Sequence, residues 1–123
     1  MIKIKCSDYN YENIIFTAYE QKTEVGLIQV KPQSSNYFQI ELFYVTEQYR
    51  RQGIGKKLLK KLINKLKSLN CTTLTVVPAS VSYDGDSVID RQTLYTIYQN
   101  LGFQFQKPNN NSDSLFHTMF LTI

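Results

Sequence analysis

Arg50-Arg51-Gln52-Gly53-Ile54-Gly55-Lys56-Lys57 joins an extended apolar run to a helical one, and its residue types suit the capture of an anion. The free N–H groups and positive dipole end of a helix N-terminus attract phosphate, and glycines let that phosphate come close to the main chain. A lone Gly-x-Gly also suits a tight turn before an ordinary helix, so the spacing by itself leaves both open. Two better-known phosphate loops are excluded. A Walker loop needs four residues between its glycines where this chain has only Ile54, and the dinucleotide fingerprint needs a third glycine where Leu58 stands.

Other chemistry-bearing residues are few. Glu41 interrupts the nearly apolar run Tyr37 to Val45. A carboxylate in an apolar strand has its pKa raised toward that of a useful base, or else pairs with a basic residue or attracts a cationic substrate. His117 has no second His or Cys nearby and reads as an edge or surface residue. Asp84, Asp86 and Asp90 lack an EF-hand pattern, because Val88 and Ile89 occupy the positions that need a ligand and a glycine. They read as solvated loop acids or as part of a binding pocket. Cys6 and Cys71 form no Cys-x-x-Cys, and no Gly-x-Ser-x-Gly elbow exists, so neither a zinc site nor nucleophilic hydrolysis has support.

The elements that must position these residues follow from periodicity. Ile2 to Lys5, Ile14 to Tyr19 and Val25 to Val30 have strand character, the last stopping before Pro32, and polar turns between them suit an antiparallel meander. The run 37–45 reads as a central strand covered on both faces. Leu58, Leu59, Leu62, Ile63, Leu66 and Leu69 have helical spacing, with lysines on the complementary face and Asn70 suited to a left-handed end. Leu74 to Val77 follows as a strand stopped by Pro78, and a strand, helix, strand order predicts a parallel crossover. After a loop at 79–90, a helix over Arg91 to Leu101 ends at Gly102, and two short segments at 103–106 and 114–123 predict a terminal hairpin.

With 123 residues the chain suits a single domain over 1–123, and 42% apolar with 13% aromatic residues is enough to form a core. No run approaches the roughly 18 to 20 apolar residues of a membrane span, and residues 1–5 lead into no signal-peptide core, so a cytoplasmic protein without membrane contact is expected. The net charge of +4 conceals an asymmetry: positions 50–67 hold eight of the fourteen basic residues and no acid. That segment is aimed at something anionic.

The strand ending Phe43-Tyr44-Val45, the following Tyr49-Arg50-Arg51-Gln52-Gly53-Ile54-Gly55 and the Leu-rich helix together resemble the acyl-CoA-binding motif of the GNAT superfamily of N-acyltransferases, written Arg or Gln, x, x, Gly, x, Gly or Ala. Arg50, Gly53 and Gly55 fill it. Leu94 to Phe103 is similar to the family's second signature, a helix ending Tyr-x-x-x-Gly-Phe, filled by Tyr98, Gly102 and Phe103. The resemblance covers 37–103 well and the flanks only in strand order. It implies an α/β GNAT-like fold: a mixed, mainly antiparallel sheet flanked by helices, with a central βαβ acyl-CoA-binding unit. The stretch 8–13 is too short for the family's N-terminal helices, so that region is abbreviated. The loop at 79–90 is longer than usual, and Arg91 and Leu94 stand where the family often has Asn and Ala.

What the resemblance implies is an acetyltransferase that uses acetyl-CoA. The segment Arg50, Arg51, Gln52, Gly53, Ile54, Gly55 and Lys56 would hold the pyrophosphate through its backbone, and Phe43, Tyr44 and Val45 would pair with the pantetheine arm as an added strand would. Tyr98 would be the general acid for the departing thiolate, with Glu41 as the candidate base. Direct attack by an amine is expected, since no motif residue suits an acyl-enzyme. The acidic loop suggests a cationic acceptor, and the assembly expected is a monomer or homodimer. The rival is a nucleic-acid-binding module, or an RNA-directed acyltransferase, using the Lys-rich helix; its uniform lysines lack the interleaved aromatics of such surfaces.

Overall fold

The computed structural model describes residues 1–9, 13–78, 89–105 and 118–123, with the backbone alone at Asp8 and Tyr9. The sequence expectations for the 10–12 connection, Asp84, Asp86, the 108–113 turn and His117 lie outside the described residues.

Strands β1 (Ile2–Tyr9), β2 (Asn13–Glu20), β3 (Thr23–Ser34) and β4 (Tyr37–Val45) form the expected antiparallel meander. A 3₁₀ turn at Glu47–Tyr49 leads to helix α1 (Ile54–Ser68), which crosses over to β5 (Thr73–Val76), parallel to β4. Helix α2 (Arg91–Asn100) precedes β6 (Gln104–Phe105) and β7 (Met119–Thr122). The sheet order is β1-β2-β3-β4-β5-β7-β6, a mixed and mainly antiparallel sheet. The final strand inserts between β5 and β6, which places the terminal hairpin inside the sheet's far end.

One face of this sheet carries the core. Ile14, Phe16 and Ala18 stand opposite Val30, Ile28 and Gly26, and Ile28 and Gly26 stand opposite Phe43 and Val45. Leu58, Leu62 and Leu66 of α1 are fully buried against them, each contributing about 2 kcal/mol of apolar burial. The helix therefore cannot slide, and the loop that feeds it is fixed at one end. Helix α2 lies on the same face: Tyr98 packs edge-on against Phe43, with ring centroids 6.1 Å apart.

Two strand expectations are corrected. β3 does not stop before Pro32 but runs through it to Ser34, because the ladder is irregular between Pro32 and Ser34, where a missing N–H is tolerated. Nor is β4 covered on both faces. Its pairing with β3 steps from Gln29↔Leu42 to Val30↔Ile40, so Glu41 is the extra residue of a bulge, and it is exposed. The bulge resets the alternation, so that Phe43 and Val45 continue the face of Phe38 and Ile40 toward the helices.

Candidate active site

Three local structures converge on one cleft. The first is a length of unpaired strand edge. β4 pairs with β5 only as far as Ile40↔Val76 yet runs on to Val45, and among the described residues no strand lies beside its last part on the side away from β3. The Thr46 N–H donates to the Val25 carbonyl at 2.9 Å, which makes Gly26↔Val45 a non-hydrogen-bonded pair of the antiparallel ladder. The N–H and C=O of Val45, and of Phe43 two residues earlier, consequently point away from β3 toward the gap.

The second is the start of α1. The N-cap is Gly53, in a left-handed conformation (φ 79°) and without a side chain to cap anything. The first helical bond runs from the Lys57 N–H to the Gly53 carbonyl at 3.1 Å, so the N–H groups of Ile54, Gly55 and Lys56 have no partner within the helix. Helix α2 shows the contrast. Its N-cap Asp90 accepts from the Thr93 N–H at 3.0 Å and the Thr93 hydroxyl at 2.8 Å, which holds the carboxyl below its ordinary 3.8. One helix entrance is closed by an acid and the other stands open to an anion.

The third is the end of α2. The Phe103 N–H donates to the Tyr98 carbonyl at 3.0 Å and the Gly102 N–H to the Gln99 carbonyl at 3.0 Å, a Schellman cap with Gly102 left-handed at φ 105°. This cap gives Tyr-x-x-x-Gly-Phe a mechanical meaning: glycine makes the turn, and Phe103 folds back on Tyr98 with ring centroids 5.4 Å apart. Tyr98 is buried, and desolvation raises its phenol above the ordinary 10.0, so it is protonated throughout the neutral range.

The cleft between these parts has a volume of about 540 Å³, within the usual size of a ligand pocket. Of the residues singled out in the sequence, Phe43, Tyr44, Val45, Arg50, Arg51, Gly53, Ile54, Gly55 and Tyr98 line it. Gln52 is exposed beside the loop, Lys56 borders a separate recess of about 210 Å³ with Lys60 and Asn100, and Glu41 sits at the point where β4 and β5 part. Glu41 lacks the apolar surroundings expected for it. Asp90 is committed to its helix cap rather than presented to an acceptor.

Sequence reasoning missed the other wall. Leu94, Ile97 and Leu101 line the cleft at helical spacing, a stripe visible in the sequence but not assigned to the site. It also missed that the Arg50 side chain turns inward, where its Nε–H donates to the Val45 carbonyl at 2.8 Å. No sequence signal announces that bond. Among the described residues no group of three or more His, Cys, Asp or Glu could hold a metal ion, and no helix is long and apolar enough to cross a membrane.

A family model described as an acetyltransferase (GNAT) domain matches residues 11–105. A GNAT family acetyltransferase from Elizabethkingia anophelis, solved with acetyl-CoA bound, superposes with a TM-score of 0.70 at 16% identity, over 99% of this chain and 98% of its own. An IAA acetyltransferase from Bacillus cereus gives 0.70 at 14% identity over 100% of both chains. An aminoglycoside 6′-N-acetyltransferase complexed with coenzyme A gives 0.69 at 22% identity, over 92% of this chain and 74% of its own. At such identities the likeness establishes the fold. No curated protein sequence matches the chain.

Proposed function

Because the chain belongs to the GNAT acetyltransferase family, we propose that it transfers the acetyl group of acetyl-CoA to an amine by direct attack. The observation that carries this is one continuous trough, in which an unpaired β4 edge leads to an uncapped helix N-terminus with a protonated phenol beside it. The trough fits the cofactor's chemistry: edge N–H and C=O groups for the amides of the arm, free N–H groups for the pyrophosphate, and an apolar lining between. When bound, acetyl-CoA supplies an acyl group already activated as a thioester.

Each residue then has a task. Phe43 and Val45 align the arm along the strand, which fixes the thioester near the parting of β4 and β5. The N–H groups of Ile54 to Lys56 hold the phosphates with the help of the helix dipole. Tyr98 donates its proton to the departing sulfur, and its burial keeps that proton available. Glu41, exposed where the strands separate, draws the acceptor ammonium and takes its proton through water. Direct attack is favoured because neither Cys6 nor Cys71 lines the cleft, and the Thr93 hydroxyl is donated to Asp90.

The test is a panel of amines, from polyamines to peptide N-termini, incubated with acetyl-CoA while free thiol is followed. Acceptor-dependent thiol release is expected. Acetyl-CoA binding without acceleration by any amine would remove the amine assignment, and absence of binding by calorimetry would remove the whole reading. The exposed Lys57, Lys60 and Lys61 keep RNA-borne amines on the panel, and retention of RNA with a steep salt slope would move them to the front.

A further inference from the structure

The side chain of Arg50 has work that neither the cleft's shape nor its charge requires. Val45 is the last residue of β4, and its carbonyl points into the cleft, where an arm lying along the strand would otherwise meet it. The Arg50 Nε–H takes that carbonyl at 2.8 Å in a part-buried position. The Tyr49 N–H holds the Thr46 carbonyl at 2.9 Å before the loop, but the bonds made by Arg50 and Gln52 themselves are longer, at 3.3 Å from the Arg50 N–H to the Glu47 carbonyl and 3.4 Å from the Gln52 amide to the Gln48 carbonyl. The loop needs a firm tie. Arg51, which is not a glycine, is left-handed at φ 65°, a conformation that a chain keeps only when its surroundings enforce it.

We infer that Arg50 is a positioning residue, whose Nε–H strap to the Val45 carbonyl fixes the phosphate loop against the end of the β4 edge, while its charge is not what retains the phosphates. This rests on the acetyl-CoA reading above and refines it. The edge then offers three groups to an arm, the N–H and C=O of Phe43 and the N–H of Val45, with the fourth already engaged. The exposed Arg51 is left as the loop's outward guanidinium.

Chemistry supplies a clean variant. Glutamine carries an N–H donor at the same distance along its side chain as the Nε of arginine, without the charge, whereas methionine has similar length and no donor. We expect Arg50→Met to lower kcat/KM for acetyl-CoA on the order of ten-fold, the worth of one charge-assisted hydrogen bond, and to harm S-acetylpantetheine less, since it has no phosphate for the loop to hold. Arg50→Gln should restore both donors to within about three-fold of wild type. A Met variant with full activity on acetyl-CoA would overturn the inference, and so would a Gln variant as impaired as the Met variant, which would return the charge to the phosphates. A readout independent of cofactor is the Arg50 Nε–H NMR signal of the free wild-type protein. Slow solvent exchange is expected and rapid exchange refutes the strap, even should the wild type accept neither donor and the transfer reading itself fail.

Discussion

Two residues in the cleft can be tested by changes that leave the fold almost untouched. Tyr98→Phe keeps the ring that packs on Phe43 and Phe103 and removes only the proton donor, so acetyl-CoA affinity should hold while kcat falls on the order of 10- to 1000-fold. Tyr95, one turn earlier and packed on Phe105 at 5.0 Å, is the control, and its Phe variant should turn over normally. Thiol release under conditions where chemistry limits the rate decides this; an undiminished Tyr98→Phe would give the proton to water. At Gly53 the backbone is left-handed but a Cβ would meet nothing within 4 Å. Gly53→Ala should therefore cost only about 1 kcal/mol of conformational strain. Gly53→Glu should abolish acetyl-CoA binding in calorimetry, since it aims a negative charge at the phosphates. Equal affinity in the folded Glu variant would move the anion site elsewhere.

The elements carry their own predictions. The Schellman cap at the end of α2 depends on Gly102, where a Cβ would fall 3.2 Å from the Leu121 Cδ1 in a backbone conformation that alanine resists. Gly102→Ala should destabilise the protein by about 1 to 2 kcal/mol in urea denaturation. It should also lower kcat, because the same turn sets the height of Tyr98. At the other end, hydrogen bonds from Thr93 hold the Asp90 carboxyl below 3.8. A depressed carboxylate stabilises the fold above its unfolded pKa, and that support is lost as pH falls through the folded value. The difference in melting temperature between wild type and Asp90→Ala should thus be full at neutral pH and close as pH drops below about 3.8; a gap that persists at pH 2 would mean that the cap does not work through its charge.

At the scale of the whole molecule, four of the eight bases of 50–67 (Arg50, Arg51, Lys56 and Lys57) lie in the loop before α1 or in its first turn, and the rest of the chain is net acidic. Salt should therefore weaken acetyl-CoA binding more than binding of S-acetylpantetheine, and equal sensitivity would deny this field a part in capture. The same scale separates what was legible in the sequence from what was not. The βαβ unit and the helix ending at Gly102 were legible because their signals are local: a stripe of leucines, glycines at a helix start, a left-handed turn with an aromatic after it. The continuation of β3 through Pro32, the bulge at Glu41 and the insertion of β7 between β5 and β6 depend on pairing between distant segments, which no local pattern specifies. The bulge matters most for the site. It turned an acid expected in an apolar strand outward and brought Phe43 and Val45 to the side where α2 could meet them.

The unpaired stretch of β4 has a further consequence, for solubility. A strand edge with open N–H and C=O groups is a template on which other chains can add, and proteins guard such edges. Here the gap lies inside the sheet, and α2 overhangs it with Ile97 and Tyr98. Loosening α2 would expose a sticky seam as well as impair a site. A cofactor arm seated in the gap would act as the missing strand and oppose that exposure, with a stabilisation of about 2.7 kcal/mol at one hundred times its dissociation constant. Stocks of the protein should accordingly cloud later on heating when coenzyme A is present.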